Sequence, residues 1–123
     1  MSYVDGYVLP VPRRNLGAYR RMAKDAGKVW MKSGALQFVE TVADDVKFGR
    51  RTSFPRSVKL KRGEVVVFSF IVYRSRAQRD RINKKVMKIF TNDPKWRKFM
   101  NQKNMPFDGK RMFWGGFKPI VQF

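Results

Sequence analysis

The chain contains neither cysteine nor histidine, and only 9 of its 123 residues are acidic. The first two absences exclude disulfides, thiol nucleophiles, Cys/His zinc sites, histidine-based triads and histidine proton shuttles. An enzyme built on this chain must work with Asp, Glu, Lys, Tyr, Ser or a borrowed cofactor. No run of about 18 apolar residues occurs, and Met1-Ser2-Tyr3-Val4-Asp5 lacks a basic segment followed by an apolar one, so a soluble, cytoplasmic protein is expected. The scarcity of acid sets 28 Lys and Arg against 9 Asp and Glu, a formal net charge of +19. High charge combined with low hydrophobicity predicts disorder, but 43% apolar and 15% aromatic residues are enough for a folded core. The length fits a single domain over residues 1–123 and rules out a multidomain enzyme.

Tyr3 to Val11 is rich in β-branched and aromatic residues and reads as a strand closed by Pro12. Asn15 offers an N-cap, and Leu16, Tyr19, Ala23, Ala26 and Trp30 form the apolar stripe of a helix over Asn15 to Ser33, stopped by Gly34. Ala35 to Ala43 reads as a second strand that carries Glu40 on the apolar face of Leu36, Phe38 and Val42. Asp44 to Pro55 has loop character, Val58 to Leu60 suits a short strand, and Gly63 a turn. Glu64 to Tyr73 is an almost unbroken apolar run, the pattern of a central strand covered on both faces.

Ser75-Arg76-Ala77-Gln78 fits a capping box, with Ala77, Ile82, Val86 and Ile89 or Phe90 as the buried stripe of a second helix. Asp93-Pro94 opens a further helical turn with Trp96 and Phe99 as its apolar side. Arg111 to Phe123 reads as a last strand interrupted at Gly115-Gly116 by a bulge or a close backbone contact. The order βαββαβ is the α+β, ferredoxin-like plan, with helices on one face of an antiparallel sheet. Because the third strand is apolar on both faces, the bare side needs a partner. A second copy related by a two-fold axis is the simplest, so a homodimer through sheet faces, assembled as a dimeric α/β barrel, is expected.

The opening YVDGYV with its proline, Gly34-Ala35, Asp44-Asp45, Thr52-Ser53-Phe54-Pro55, the strand VVFSFIVY with Ser75, and Met105-Pro106-Phe107-Asp108-Gly109-Lys110-Arg111-Met112 followed by Gly115-Gly116-Phe117 share one order along the chain. Together they resemble the bacterial YbaA-like family, a family of unknown function. The resemblance runs from Tyr3 to about Val121 and implies a dimeric α/β barrel of ferredoxin-like subunits. It implies no catalytic residues. Members of that family are acidic or near neutral, with many Glu residues on their helices, where this chain has Lys and Arg. Asp5, Asp44, Asp45, Asp80 and Asp108 fall where the family pattern also has an acid. Replacement of dispensable carboxylates by cations, by natural adaptation or by deliberate supercharging, produces such a surface.

Arg20, Lys24, Lys28 and Lys32 form an i, i+4 ladder with Arg21 beside it, and Arg81, Lys84, Lys85 and Lys88 repeat the arrangement on the second helix. Like-charged pairs at this spacing cost about 0.2–0.5 kcal/mol each, so this surface is not arranged for helix stability. It suits nonspecific binding of nucleic acid or another polyanion, since each cation set on a phosphate releases a counterion; it is equally a solvated face with no partner. The third strand lacks the glycine and basic pattern of an RNA-recognition motif, and specific recognition of nucleic acid is not expected. A binding or structural module without catalysis is the expected function.

The competing reading is a small-molecule-binding protein or cofactor-independent enzyme. It rests on Glu40 and Asp5, carboxylates on otherwise apolar strands, with Tyr7, Tyr73, Trp114 and Arg111 around a cavity between sheet and helices. The structural alternative pairs these carboxylates with Arg111, Lys59 or backbone N–H groups. No cofactor and no metal site are expected: Asp44-Asp45 lies among Lys47, Arg50 and Arg51, and no phosphate-loop glycine pattern occurs. Met22, Met87 and Met112 read as adaptable core filler.

Overall fold

The computed structural model describes residues 2–123. Its elements run β1 (Tyr3–Pro12), α1 (Leu16–Ser33), β2 (Gln37–Val42), α2 (Phe54–Ser57), β3 (Glu64–Tyr73), α3 (Arg76–Asn92), α4 (Pro94–Arg97) and β4 (Phe113–Phe117). Single 3-10 turns occupy Arg13–Asn15, Lys98–Met100 and Gln102–Asn104. The strands make one antiparallel sheet in the order β2-β3-β1-β4, the expected ferredoxin-like α+β arrangement.

Strand alternation decides which side chains meet the helices. The register pairs Tyr3 with Tyr73, Asp5 with Ile71 and Leu9 with Val67, so the odd-numbered residues of β1 and β3 share one face. On that face Leu9, Val11 and Val67 pack under Tyr19 and Ala23 of α1, while Ile71 and Tyr73 pack with Ala26, Ile82, Val86 and Phe90. Each large apolar side chain buried there stabilises the fold by about 1.5–3 kcal/mol. Gly27 lets α1 approach β2: a Cβ at this position would sit 2.8 Å from the Phe38 ring.

The ends of the helices follow local chemistry. Gly34, at φ 118°, closes α1, and the N–H groups of Gly34 and Ala35 satisfy the Met31 and Trp30 carbonyls. Ser75 Oγ accepts from the Gln78 N–H at 3.1 Å to start α3, and Asp93 accepts from the Lys95 N–H beside Pro94 to start α4.

Three local expectations are corrected. Asn15 does not cap α1; its Nδ2 donates to the Pro106 carbonyl, and a 3-10 turn leads into the helix instead. Val58 to Leu60 is not a strand, because Ser53 caps the turn Phe54–Ser57 and drops the buried Val58 against Val8 and Val66. β4 spans Phe113–Phe117 rather than Arg111 to Phe123, and its pairing with β1 continues through both glycines with no bulge. The close contact at Gly116 is present, for Tyr3 and Arg79 occupy the space a Cβ would need. Among the described residues no helix is long and apolar enough to cross a membrane.

The opposite face of the sheet carries Val4, Val39, Phe68, Phe70, Val72, Phe113 and Phe117. Its corner near Val66 is covered by Val58. The Phe54 ring of α2 packs edge-on against Phe68 with centroids 5.9 Å apart, yet Phe68 is 41% exposed and Phe117 64% exposed, leaving much of this aromatic row open to solvent.

Arg111 fastens the approach to β4. Its guanidinium makes two hydrogen bonds to Glu64, at 2.7 and 2.6 Å, a third to Asp108 at 2.8 Å, and reaches the Lys59 carbonyl at 3.1 Å. These bonds hold the Glu64 and Asp108 carboxyls below their ordinary range. Arg111→Ala leaves the Glu64 carboxylate without its partner and is expected to cost about 3 kcal/mol at neutral pH. Since both carboxyl pKa values are lower in the folded chain, the wild-type advantage is complete above the ordinary carboxylate pKa and shrinks as pH falls through it. Urea unfolding of both proteins at a series of pH values checks this; a pH-independent difference contradicts it.

Candidate functional site

Three neighbouring strands bring Glu40, Ser69 and Tyr7 into line. Glu40 on β2 is the register partner of Ser69 on β3, Ser69 is the partner of Tyr7 on β1, and Trp114 on β4 stands opposite Tyr7. All four face the helices, and all four line a cavity of about 430 Å³ between sheet and helix layer. That volume is typical of a small-molecule site. The three tryptophans of the chain, Trp30, Trp96 and Trp114, belong to its walls, as do Met22, Met87, Met100, Met105 and Met112. Among the described residues no Lys or Arg lines it.

The polar groups of the cavity are few and placed by the sheet. Tyr19, from α1, donates its hydroxyl to Glu40 Oε1 at 2.7 Å. Burial pushes the Glu40 carboxyl above its ordinary value, while hydrogen bonds from Tyr19 and Ser69 pull the other way. Burial and the adjacent carboxylate push the Tyr19 phenol up as well, so it remains a proton donor. The Tyr7 ring stacks on Trp114 with centroids 5.8 Å apart. Its hydroxyl makes no side-chain hydrogen bond among the described residues, and burial together with Asp5 keeps it protonated.

Behind this row lies a second polar cluster. Asp5, fully buried, accepts from Asn83 Nδ2 at 3.2 Å and faces the Arg79 guanidinium at 3.3 Å. Asn83 Oδ1 in turn accepts from Trp30 Nε1 and from the Tyr73 hydroxyl, each at 3.1 Å. Arg79 also donates to the Tyr3 hydroxyl and lies over the Tyr3 and Trp114 rings. Burial raises the Asp5 carboxyl, and Asn83 and Arg79 oppose that rise.

Of the residues anticipated at the cavity, Tyr7, Glu40 and Trp114 line it. Tyr73 and Asp5 do not; they reach it through Asn83, which is a lining residue. Arg111 is removed from it altogether, engaged by Glu64 and Asp108. Neither carboxylate has the partner considered for it, since Asp5 pairs with Arg79 and Glu40 with Tyr19. Arg79, near the start of α3, is thus the partly buried counter-charge of Asp5. The methionines read as core filler form much of the cavity wall.

Tyr19, Ser69 and Asn83 were missed. Tyr19 is indistinguishable from a stripe residue in the sequence. Ser69 does leave a signal, a single hydroxyl inside an apolar strand, as does Asn83 within the second helix. Among the described residues no group of three or more His, Cys, Asp and Glu side chains is placed to hold a metal ion.

The cationic residues lie elsewhere. Arg20, Arg21, Lys24, Lys28 and Lys32 of α1 and Arg81, Lys84, Lys85 and Lys88 of α3 are all exposed on the outer surface of the helix layer.

A dimeric ferredoxin-like protein from an uncultured marine organism, known from a crystal structure, superposes with a TM-score of 0.64 over the whole of both chains at 10% sequence identity, a likeness of fold alone. The uncharacterized protein YbaA of Escherichia coli strain K12 is 46% identical over 121 residues, 98% of each chain, and that of Shigella flexneri matches equally. Residues 2–109 match the family described as Protein of unknown function (DUF1428). The chain therefore belongs to the DUF1428 family.

Proposed function

We propose that this protein binds a small, mainly apolar and uncharged molecule in the cavity, with the polar group of that molecule on the Glu40–Ser69–Tyr7 row. The observation that carries this reading is the cavity itself, about 430 Å³ with aromatic and methionine walls and its hydrogen-bonding groups gathered along one line of the sheet. An anion finds no cation among the lining residues, and a neutral hydrogen-bonding group pairs with buried polar atoms at lower desolvation cost. Methionine walls adapt to ligands of differing outline. The neutral dye N-phenyl-1-naphthylamine is expected to bind saturably, one per chain, with energy transfer from the tryptophans. Ala23→Phe, which puts a ring into the cavity, should weaken binding at least tenfold. A response that never saturates, or one unchanged in folded Ala23→Phe, overturns the reading.

The bare sheet face supports a homodimer built sheet to sheet. Its aromatic row stays largely exposed among the described residues, and the ferredoxin-like protein of similar fold is described as dimeric. Association must outweigh repulsion between two chains of +19, which low salt strengthens. Sedimentation is expected to give a dimer at moderate salt that weakens at low salt, and Phe68→Lys should give a monomer. A wild-type monomer under both conditions refutes the dimer.

The helix surface supports a second, independent activity, nonspecific polyanion binding. Nine cations of α1 and α3 stand exposed on one layer, and none of them forms an ion pair among the described residues. Their carboxylate-poor setting fits the reading of the charge as a coat on a fold complete without it, natural or engineered. Affinity for duplex DNA or heparin is expected to fall at least tenfold between about 50 and 200 mM salt. Binding that is absent or indifferent to salt removes this activity and leaves the cavity untouched.

A further inference from the structure

Resting on the proposed cavity ligand, we propose that the site catalyses proton transfer at the carbon next to a carbonyl group, with Glu40 as the base and Tyr7 as the hydrogen-bond donor to the carbonyl oxygen. The geometry begins with the register. Glu40 and Tyr7 are separated by one intervening strand, whose residue at that level is only Ser69. Strands are about 4.8 Å apart, so a gap of about 10 Å between the two backbones is left for a ligand to bridge from above. One end of the row offers a proton acceptor and the other a donor with no side-chain partner among the described residues. Tyr19 holds one Glu40 oxygen at 2.7 Å, and with the hydrogen bond from Ser69 it orients the carboxylate at the cavity floor. Stacking on Trp114 fixes the Tyr7 ring.

An apolar ketone laid along this row places its oxygen toward Tyr7 and an α-hydrogen toward Glu40. The C–H bond breaks, an O–H bond forms on Glu40, and the electron pair of the C–H bond becomes the C=C bond of an enolate. The former carbonyl oxygen carries the negative charge and is stabilised by the Tyr7 hydroxyl. Return of the proton from Glu40 to carbon restores the ketone, and exchange of the Glu40 proton with solvent before that return labels the carbon. The cycle consumes no oxidant, reductant or cofactor. Burial suits Glu40 to this work, since a carboxylate raised above its ordinary range is the stronger base and holds an abstracted proton better. The aromatic and methionine walls give the enolate largely apolar surroundings, in which the Tyr7 hydrogen bond counts for more. Tyr19 acts as a positioning residue, because it reaches the reaction only through Glu40.

The test uses 2-tetralone, a neutral aromatic ketone, in deuterated buffer, with deuterium incorporation at its α-carbon followed by NMR and binding followed by quenching of tryptophan fluorescence. The wild-type protein is expected to exchange the α-hydrogen at least a hundredfold faster at saturation than Glu40→Gln, in line with the usual contribution of a general base. Tyr7→Phe should lower the saturated rate about tenfold. Tyr19→Phe should move the midpoint of the pH–rate profile upward, because it removes a hydrogen bond that favours ionised Glu40; a purely structural role for Tyr19 leaves that midpoint in place. Circular dichroism confirms that the variants are folded, and exchange catalysed by surface lysines is common to all of them. Saturable quenching with equal exchange by wild type and Glu40→Gln overturns the catalytic proposal and leaves ligand binding standing. Absence of both quenching and catalysed exchange overturns both.

Discussion

The register of β3 between β2 and β1 is the constraint on which both faces of this protein depend. Side chains alternate strictly along a strand, so a slip of one residue would move every β3 side chain to the other face. Ser69 would then leave the line between Glu40 and Tyr7, and Phe68 or Phe70 would enter the helix-facing layer in its place. The cavity would lose the small side chain at its floor. The opposite face would lose the aromatic row that leaves it in need of a cover.

That register concentrates buried charge on the helix side. Two carboxylates, Asp5 and Glu40, occupy the helix-facing side of the sheet, and the chain provides for them differently. Asp5 receives a guanidinium and an amide, an arrangement in which removal of one partner is far more costly than the pair is stabilising. Glu40 receives only hydroxyl donors and no cation among the described residues. A half-buried carboxylate supplied in this way is poorly explained by stability and well explained by a site. Such violations of local economy are where function is expected to lie.

Much of the architecture was legible because it is written in short-range patterns. The stripe from Leu16 to Trp30, the serine before α3, the Asp93-Pro94 start and the unbroken apolar run of β3 each follow from local periodicity or capping chemistry. The errors fell where distant residues outvoted local signals. Asn15 has the chemistry of an N-cap but is drawn to Pro106, and Val58 has strand propensity but is held by a capped turn. β4 stops at Phe117, opposite Val4 near the start of β1, a limit set by strand pairing that the local sequence does not carry.

By itself the sequence determined the fold class, the oddity of Glu40 on an apolar strand, the exclusion of cysteine and histidine chemistry, and a cationic coat on the helices. These depend on composition and on neighbours within a few residues. Only the tertiary structure decided that Tyr19, Ser69 and Asn83 belong with Glu40 and Tyr7, that Arg79 answers Asp5, and that Arg111 serves the β4 clamp instead of the cavity. Those pairings join residues up to 78 positions apart. They are set by strand register and by the angle at which helices lie on the sheet, and neither leaves a mark in local periodicity.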